Sequence, residues 1–262
     1  MDLTGRVVIV TGGTRGIGRA TVEAFVRAGA TVTFCSYQED GGTALSAAVT
    51  AQGPGRAEFV LCDVADADQV AALVAEAAGR WGRLDCLVNN AGWHPPHRPI
   101  DGFTVADFEA LLRLNVIGVF AACRTALPFL RRTRGSIVNI ASLVATIGQH
   151  HATTYVATKG AVLAFTKALA VDEAVHGVRV NAISPGNIYT PLWQEAIDAS
   201  ADPARTRADG EAAQPMARMG TPEEVARLCL YLACEATFTT GADHIISGGA
   251  ELAYGRKVPG GS

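Results

Sequence analysis

Tyr155 and Lys159 stand four residues apart in Tyr155-Val156-Ala157-Thr158-Lys159, within a stretch patterned as a helix. That spacing puts both side chains on one helical face. A phenol with an ordinary pKa near ~10 is a poor base at neutral pH, and a neighbouring ammonium favours the phenolate and lowers that value. The pair therefore predicts an acid/base group, although Tyr-x-x-x-Lys alone is also common on helix surfaces. Near the N-terminus, Thr11-Gly12-Gly13-Thr14-Arg15-Gly16-Ile17-Gly18 passes from an apolar run directly into a helical pattern. Gly12, Gly16 and Gly18 suit a tight turn, close backbone approach to a pyrophosphate, and tight helix–strand packing. The helix start offers unpaired N–H groups to an anion. The spacing is GxxxGxG, where the commoner dinucleotide fingerprint is GxGxxG, and a glycine turn without a ligand is the competing reading.

Metal chemistry is not expected. The six histidines include no His-x-x-x-His pair, and the side chains of adjacent His150 and His151 are expected to diverge. The six cysteines, at 35, 62, 86, 123, 229 and 234, form no CxxC pair and lie in or beside apolar runs such as Phe59-Val60-Leu61-Cys62. They read as small buried hydrophobes in a reducing compartment.

The scaffold that must position these groups is legible as an alternation. Strand-like runs occur at Val7–Thr11, Thr31–Cys35, Ala57–Cys62, Leu84–Asn89, Ser136–Ile140, Arg179–Ile183 and His244–Ile246. Helical patterns lie between them, near 16–29, 43–52, 66–80, 104–131, 153–175 and 222–234. Such alternation predicts an α/β fold, a doubly wound, Rossmann-type parallel sheet of seven strands with helices on both faces. The nearly uniform apolarity of the strands predicts burial on both sides. No linker, repeat or low-complexity tract divides residues 1–262, which read as a single domain. The dinucleotide part is mainly 6–115, and the catalytic and substrate part mainly 136–262.

The chain has 262 residues, 49% hydrophobic and 18% charged, with a net charge of −3. That charge gives no reason to expect nucleic acid or an anionic membrane as partner. The first residues lack the features of a signal peptide, and the apolar stretches carry charges or glycines too often to span a bilayer. The reading is a cytoplasmic protein acting on a small molecule. Two helical stretches, Phe108–Leu130 and Tyr155–Val171, are apolar around more than one face, so each needs a second cover. A neighbouring subunit is the preferred cover, and the 187–215 segment the alternative.

Taken in order, the marks resemble the short-chain dehydrogenase/reductase family. They are TGxxxGIG at Thr11–Gly18, Asp63-Val64, Asn89-Asn90-Ala91-Gly92, Asn115, Ser142, Tyr155 with Lys159, and Pro185-Gly186. The resemblance covers nearly the whole chain and implies NAD(P)-dependent hydride transfer to or from an alcohol or carbonyl carbon. It implies a catalytic set of Asn115, Ser142, Tyr155 and Lys159. Tyr155 would exchange the proton, Ser142 orient the substrate oxygen, Lys159 also hold the nicotinamide ribose, and Asn115 hold a water on a proton path. It also implies that Gly12, Arg15, Gly16, Ile17 and Gly18 hold the pyrophosphate side. Asp63, Val64, Asn90, Ala91 and Gly92 would line the adenosine side, and Pro185, Gly186, Ile188 and Thr190 the nicotinamide. NAD-binding relatives place an acid at the end of the second strand, where this chain has Ser36. With Arg15 in the glycine loop, NADP is favoured over NAD, although Glu39 or Asp40 could still reach the ribose.

A closer resemblance, carried by residues 84–96, 142–149, 184–193 and 248–255, is to a subgroup of 17β-hydroxysteroid and L-fucose dehydrogenases. It implies a substrate pocket of His94, Ser142, Gln149, Trp193 and Tyr254. It also implies a homotetramer in which Tyr254 closes a neighbouring subunit's pocket. Several hydrogen-bonding groups around one aromatic ring suit a pyranose better than a steroid, so the expected reaction is oxidation of an aldose to a lactone. A hydroxysteroid dehydrogenase, a 3-oxoacyl-carrier-protein reductase and a non-catalytic nucleotide sensor are the alternatives, in that order.

Overall fold

Val7-Val8-Ile9-Val10-Thr11 is buried at every position, as a strand covered by helices on both faces must be. This strand, β1 (Val7–Thr11), is joined by β2 (Thr31–Ser36), β3 (Arg56–Leu61), β4 (Cys86–Asn89), β5 (Ser136–Ile140), β6 (Arg179–Pro185) and β7 (Asp243–Ile246). All neighbours pair in parallel, in the order β3-β2-β1-β4-β5-β6-β7. The computed structural model describes residues 1–252. Strand order reverses between β1 and β4, so a crevice opens at their carboxyl ends, the place where doubly wound sheets take ligands.

Each face has its own helices. Val22, Phe25 and Val26 of α1 (Gly16–Arg27), Leu45 and Val49 of α2 (Gly42–Gln52), and Val225, Cys229 and Leu232 of α10 (Pro222–Cys234) pack on one side. The other side is covered by α3 (Ala67–Trp81), α5 (Gly118–Thr133) and α7 (Thr153–Glu173). Between β4 and β5, α4 (Val105–Leu112) runs into α5 through one wide turn at Arg113–Ile117, closed by the Gly118 N–H on the Arg113 carbonyl. Short α6 (Val144–Ile147) follows β5, while α8 (Pro191–Asp198) and α9 (Pro203–Ala212) follow β6.

The expected seven strands and six main helices are all present. The helices α8 and α9 were not expected, because α9 is polar all round and offers no apolar period. Burial on both faces holds for β1, β4 and β5, but the edge strands β3 and β7 are only partly covered. The continuous run Val105–Thr133 corrects the expectation about bilayer spans: by length and composition alone it could cross a membrane. In this fold its Leu111, Val119, Ala122, Ala126 and Leu130 are buried instead.

Candidate active site

The glycine loop sits at the crevice. Gly12 adopts φ +66°, which a side chain rarely tolerates. A Cβ on Gly18 would stand 2.0 Å from the Gly12 carbonyl oxygen, so helix α1 can start against the strand end only as glycine. Asn90 closes the turn from β4, donating from Nδ2 to the carbonyls of Thr11 at 3.0 Å and Gly12 at 2.9 Å. Thr11 Oγ1 accepts from the N–H groups of Asn90 and Ala91. Arg15 caps α1 without a side-chain hydrogen bond, and no acid stands in its first turn, so the N–H groups there face the crevice. Ile17 packs into the α1 side of the core.

Around the adenosine end, Ser36 is the last residue of β2 and is buried, with no acid at that position. Glu39 is turned away from the role weighed for it: its carboxylate accepts the N–H groups of Gly41 and Thr43, each at 2.9 Å. The Asp63 carboxylate accepts from Ala65 N–H at 2.9 Å in a tight turn, and helix α3 is capped by Asp66 rather than Asp63. Val64 is buried against α5, where a Cβ on Gly118 would meet its carbonyl oxygen at 2.3 Å. Arg15 pairs with Glu195 of α8 at 3.0 Å, which ties the glycine loop to the segment after β6.

The four residues of the expected catalytic set converge. Lys159 is buried, and its Nζ donates to the Ile140 carbonyl at 2.8 Å while lying 5.8 Å from the centre of the Tyr155 ring. Ser142, the second residue after β5, accepts from Val144 N–H and is near enough to Tyr155 to oppose its pKa rise. Burial pushes the Tyr155 phenol up to about 12, against the smaller opposing effect of Ser142, and pulls the Lys159 ammonium down to about 8. The expectation of a tyrosine lowered by its lysine is therefore corrected: in the ligand-free protein desolvation is the dominant effect and the phenol is raised. Asn115 lies in the wide turn, buried, with its amide donating to Trp93 O at 3.0 Å and Thr158 Oγ1 at 3.1 Å. Its Oδ1 accepts from Trp93 N–H at 3.0 Å. Gly92 leaves the room for this, since a Cβ there would stand 3.2 Å from Asn115 Oδ1 and 3.4 Å from Lys159 Nζ.

Beyond β6, Pro185 ends the strand and Gly186 donates to Ile246 O, with no space for a Cβ beside Gln214 and Ser247. Ile188 is buried, and Thr190 caps α8 by accepting from Trp193 N–H. The Trp193 ring rests against Gly210 of α9. His94 joins the site directly: its ring centre lies 4.2 Å from that of Tyr155, and its Nε2 is 2.9 Å from Gln149 Oε1. Its Nδ1 lies 2.6 Å from Pro95 O. Tyr254 lies outside the described residues. His150 and His151 do not diverge as expected. Their rings stack with centres 3.6 Å apart, because His151 takes φ +57° and turns back on its neighbour.

Sequence reasoning missed Thr11 and Thr158 as positioning groups. Both stand in quoted motifs, but a threonine in a strand or helix carries no signal of its own until its partners are known. Among the described residues no cluster of three or more His, Cys, Asp or Glu side chains is arranged to hold a metal.

Residues 12–251 match the family model described as Enoyl-(Acyl carrier protein) reductase. An L-fucose dehydrogenase of Mus musculus is 52% identical over 255 residues, which are 97% of this chain and 92% of the relative. The chain belongs to the short-chain dehydrogenase/reductase family. Among solved structures, this family member resembles the ligand-free aldohexose dehydrogenase of Thermoplasma acidophilum, with a TM-score of 0.88 and 33% identity over 98% of both chains. It also resembles the L-sorbose reductase of Gluconobacter frateurii, solved with NADPH and L-sorbose, with a TM-score of 0.89 and 28% identity. That match covers 94% of this chain and 97% of the reductase. As a short-chain dehydrogenase/reductase, the protein is an NAD(P)-dependent oxidoreductase acting on a small molecule.

Proposed function

We propose that this enzyme oxidises the anomeric hydroxyl of an L-fucose-type aldose to the lactone, with NADP as its preferred cofactor. The observation that carries the reading is the His94–Gln149 pair beside Tyr155, which sets hydrogen-bonding side chains around the acid/base as a hydroxyl-rich ring needs. The 52% identity to an L-fucose dehydrogenase and the likeness to an aldohexose dehydrogenase support it.

The residues present fit a dinucleotide: the cradle at Gly12 and Gly18 has no room for side chains, and the start of α1 carries no cap or acid of its own. A nicotinamide bound at the crevice supplies the hydride acceptor. The chain's own groups do the rest. Tyr155 must first give up its own proton. The resulting phenolate Oη, favoured by the Lys159 ammonium, takes the proton of the anomeric hydroxyl as the C–H hydride leaves, so a carbon–oxygen double bond forms and the lactone results. The Ser142 hydroxyl orients that oxygen and stabilises the charge developing on it. Lys159, held by Ile140 O, binds the ribose hydroxyls and keeps a positive charge near the phenol. Asn115 and Thr158 hold the loop of Gly92 and Trp93 over them. His94 and Gln149 bind ring hydroxyls, and Trp193 offers the sugar an aromatic face.

For the cofactor, Ser36 puts no carboxylate at the end of β2, Glu39 is engaged with its own turn, and Arg15 can exchange Glu195 for a 2′-phosphate, which leaves Asp40 as the acid to weigh against NADP. A homotetramer is the assembly proposed, with α5 and α7 at an interface. A cavity of about 270 Å³ lined by Phe120, Leu127, Phe165 and Leu169 opens between these helices. The six cysteines are free thiols, which supports a reducing, cytoplasmic setting.

The test is a dehydrogenase assay of the purified protein against L-fucose, other aldoses and 17β-hydroxysteroids, each with NADP and NAD. Turnover of an aldose with the higher kcat/KM for NADP is expected. Turnover of a hydroxysteroid and of no aldose would overturn the reading.

A further inference from the structure

Four imidazoles gather on one rim of the site. His94 and His97 come from the loop after β4, with ring centres 5.1 Å apart. His150 and His151 come from the loop before α7, stacked at 3.6 Å. The two loops are tied together by the Arg98 N–H on the His151 carbonyl at 2.9 Å. Arg98 adds a guanidinium on the same loop, its Nε buried without a hydrogen-bond partner among the described residues. No Asp or Glu forms an ion pair with Arg98 or with any of the four histidines among the described residues.

Other titratable groups beside this rim are Tyr155 and Lys159 on α7 and Asp107 at the start of α4. Asp107 acts on Arg98 only at a distance, because its carboxylate caps its own helix by accepting from Thr104 N–H. The rim therefore gathers four imidazoles and a guanidinium with no carboxylate ion-paired to them among the described residues. His97 shows the strain: partial loss of solvent, then the charges of His94, His151 and His150, hold its imidazolium below the usual histidine range.

We propose that this rim is an anion-binding subsite, and that the enzyme takes acidic aldoses, bearing a carboxylate or phosphate on the carbon remote from the anomeric centre. The proposal rests on the sugar-dehydrogenase reading and extends its substrate class beyond neutral aldoses. The His94 ring bridges the acid/base and the rim, its centre 4.2 Å from that of Tyr155 and 5.1 Å from that of His97. A pyranose with its anomeric carbon at Tyr155 spans that path and brings an exocyclic oxyanion to His97. An anion there favours the His97 imidazolium and by linkage binds more tightly as pH falls through the histidine range.

The experiment compares a neutral aldose, the corresponding hexuronate and the corresponding sugar phosphate as substrates between pH 8 and pH 6. The KM of one or both acidic sugars should fall roughly fivefold relative to the neutral one, the upper end of what exposed ion pairs give. His97→Gln and His150→Gln together should flatten that ratio. In parallel, the imidazole Cε1–H signals of the enzyme–NADP complex are titrated with inorganic phosphate and with the hexuronate, and the rim histidines should titrate at higher pH with the anion present. A pH-independent KM ratio combined with unmoved histidine titrations overturns the subsite. If no aldose is oxidised but the anions still raise the rim titrations, the sugar reading fails and the subsite stands.

Discussion

Asn115 and Trp93 are bound to each other twice, the Asn115 amide donating to Trp93 O and its Oδ1 accepting from Trp93 N–H, both at 3.0 Å. A single side chain thus mimics a backbone partner for the loop that carries Gly92 and His94, and its remaining N–H anchors that loop to Thr158 of α7. The resemblance assigned Asn115 a water on a proton path. Both of its N–H donors are engaged in this clamp, which makes it first a positioning residue. Replacing it leaves Trp93 N–H and O without their partner in a partly buried place. Asn115→Leu should therefore cost about 1–3 kcal/mol of stability, measured by denaturant unfolding. It should also lower kcat more than tenfold while nucleotide affinity, measured by calorimetry, changes little. Stability unchanged from the wild type would show that the clamp carries no weight.

Tyr155→Phe removes the proton-transferring oxygen and keeps the ring beside His94. Turnover should fall by about 10²–10⁴-fold, with NADP binding retained. Lys159→Met should lower both turnover and nucleotide affinity, since the lysine is assigned to the phenol and the ribose together. Activity of the phenylalanine variant within a few-fold of wild type would remove Tyr155 from the chemistry.

The same two groups give the ligand-free protein a pH signature. Lys159 is lowered by burial from its ordinary value to about 8, so folding disfavours its charged form. Its contribution to stability is present above about 10.5 and is lost as pH falls toward 8. Tyr155, raised to about 12, works the other way: its contribution is intact below about 10 and is lost as pH rises toward 12. Stability attributable to this pair should rise from pH 8 and pass through a maximum near pH 10. In Lys159→Met the rising limb should vanish, which thermal unfolding across that range would detect.

The sheet was legible because its strands are buried runs of β-branched residues, and a run such as Val7–Thr11 reads alike in isolation and in the fold. The glycine loop and the Tyr155–Lys159 pair were legible for a local reason, since fixed spacing alone puts their groups together. What sequence spacing did not carry was long-range. Nothing near Glu195 announces Arg15, 180 residues away, and nothing near His97 announces the stacked pair at 150 and 151. The direction of the Tyr155 pKa shift was misread because spacing reports a charged neighbour but not the desolvation that opposes it. Helix α9 escaped notice because a helix polar all round has no period to find.

Cofactor choice turns on Ser36 and on the Arg15–Glu195 pair. Ser36→Asp places a carboxylate where the adenosine ribose sits, and like-charge repulsion should shift the NADP:NAD ratio of kcat/KM toward NAD by about tenfold, worth roughly 1.4 kcal/mol. Glu195→Gln should act in the opposite sense. Both partners of the pair are about half exposed, so breaking it costs little stability, and Arg15 is then free for a phosphate. A lower KM for NADP with that for NAD unchanged is the expected result. Wild-type specificity constants that already favour NAD would refute the cofactor reading outright.

Assembly offers the last prediction. Ile117 and Phe120 on the run through α5 are 42% and 51% exposed, although both belong to a stretch apolar enough to be buried on every side. Phe120 meets Phe165 of α7 edge-on at 6.3 Å across the cavity between the two helices. The 187–215 segment, weighed as an alternative cover, contributes no residue to that cavity's lining, since α8 and α9 pack against each other beside the substrate crevice. A second copy, the cover proposed above, would satisfy both helices at once. Phe120→Glu would set a carboxylate in the middle of that face. Burying it between subunits is costly, whereas on an isolated subunit it would stand in water. Sedimentation velocity should show the wild type as a tetramer and Phe120→Glu as smaller species, with the far-ultraviolet circular dichroism of the two superimposable. A variant that sediments like the wild type would place the interface elsewhere.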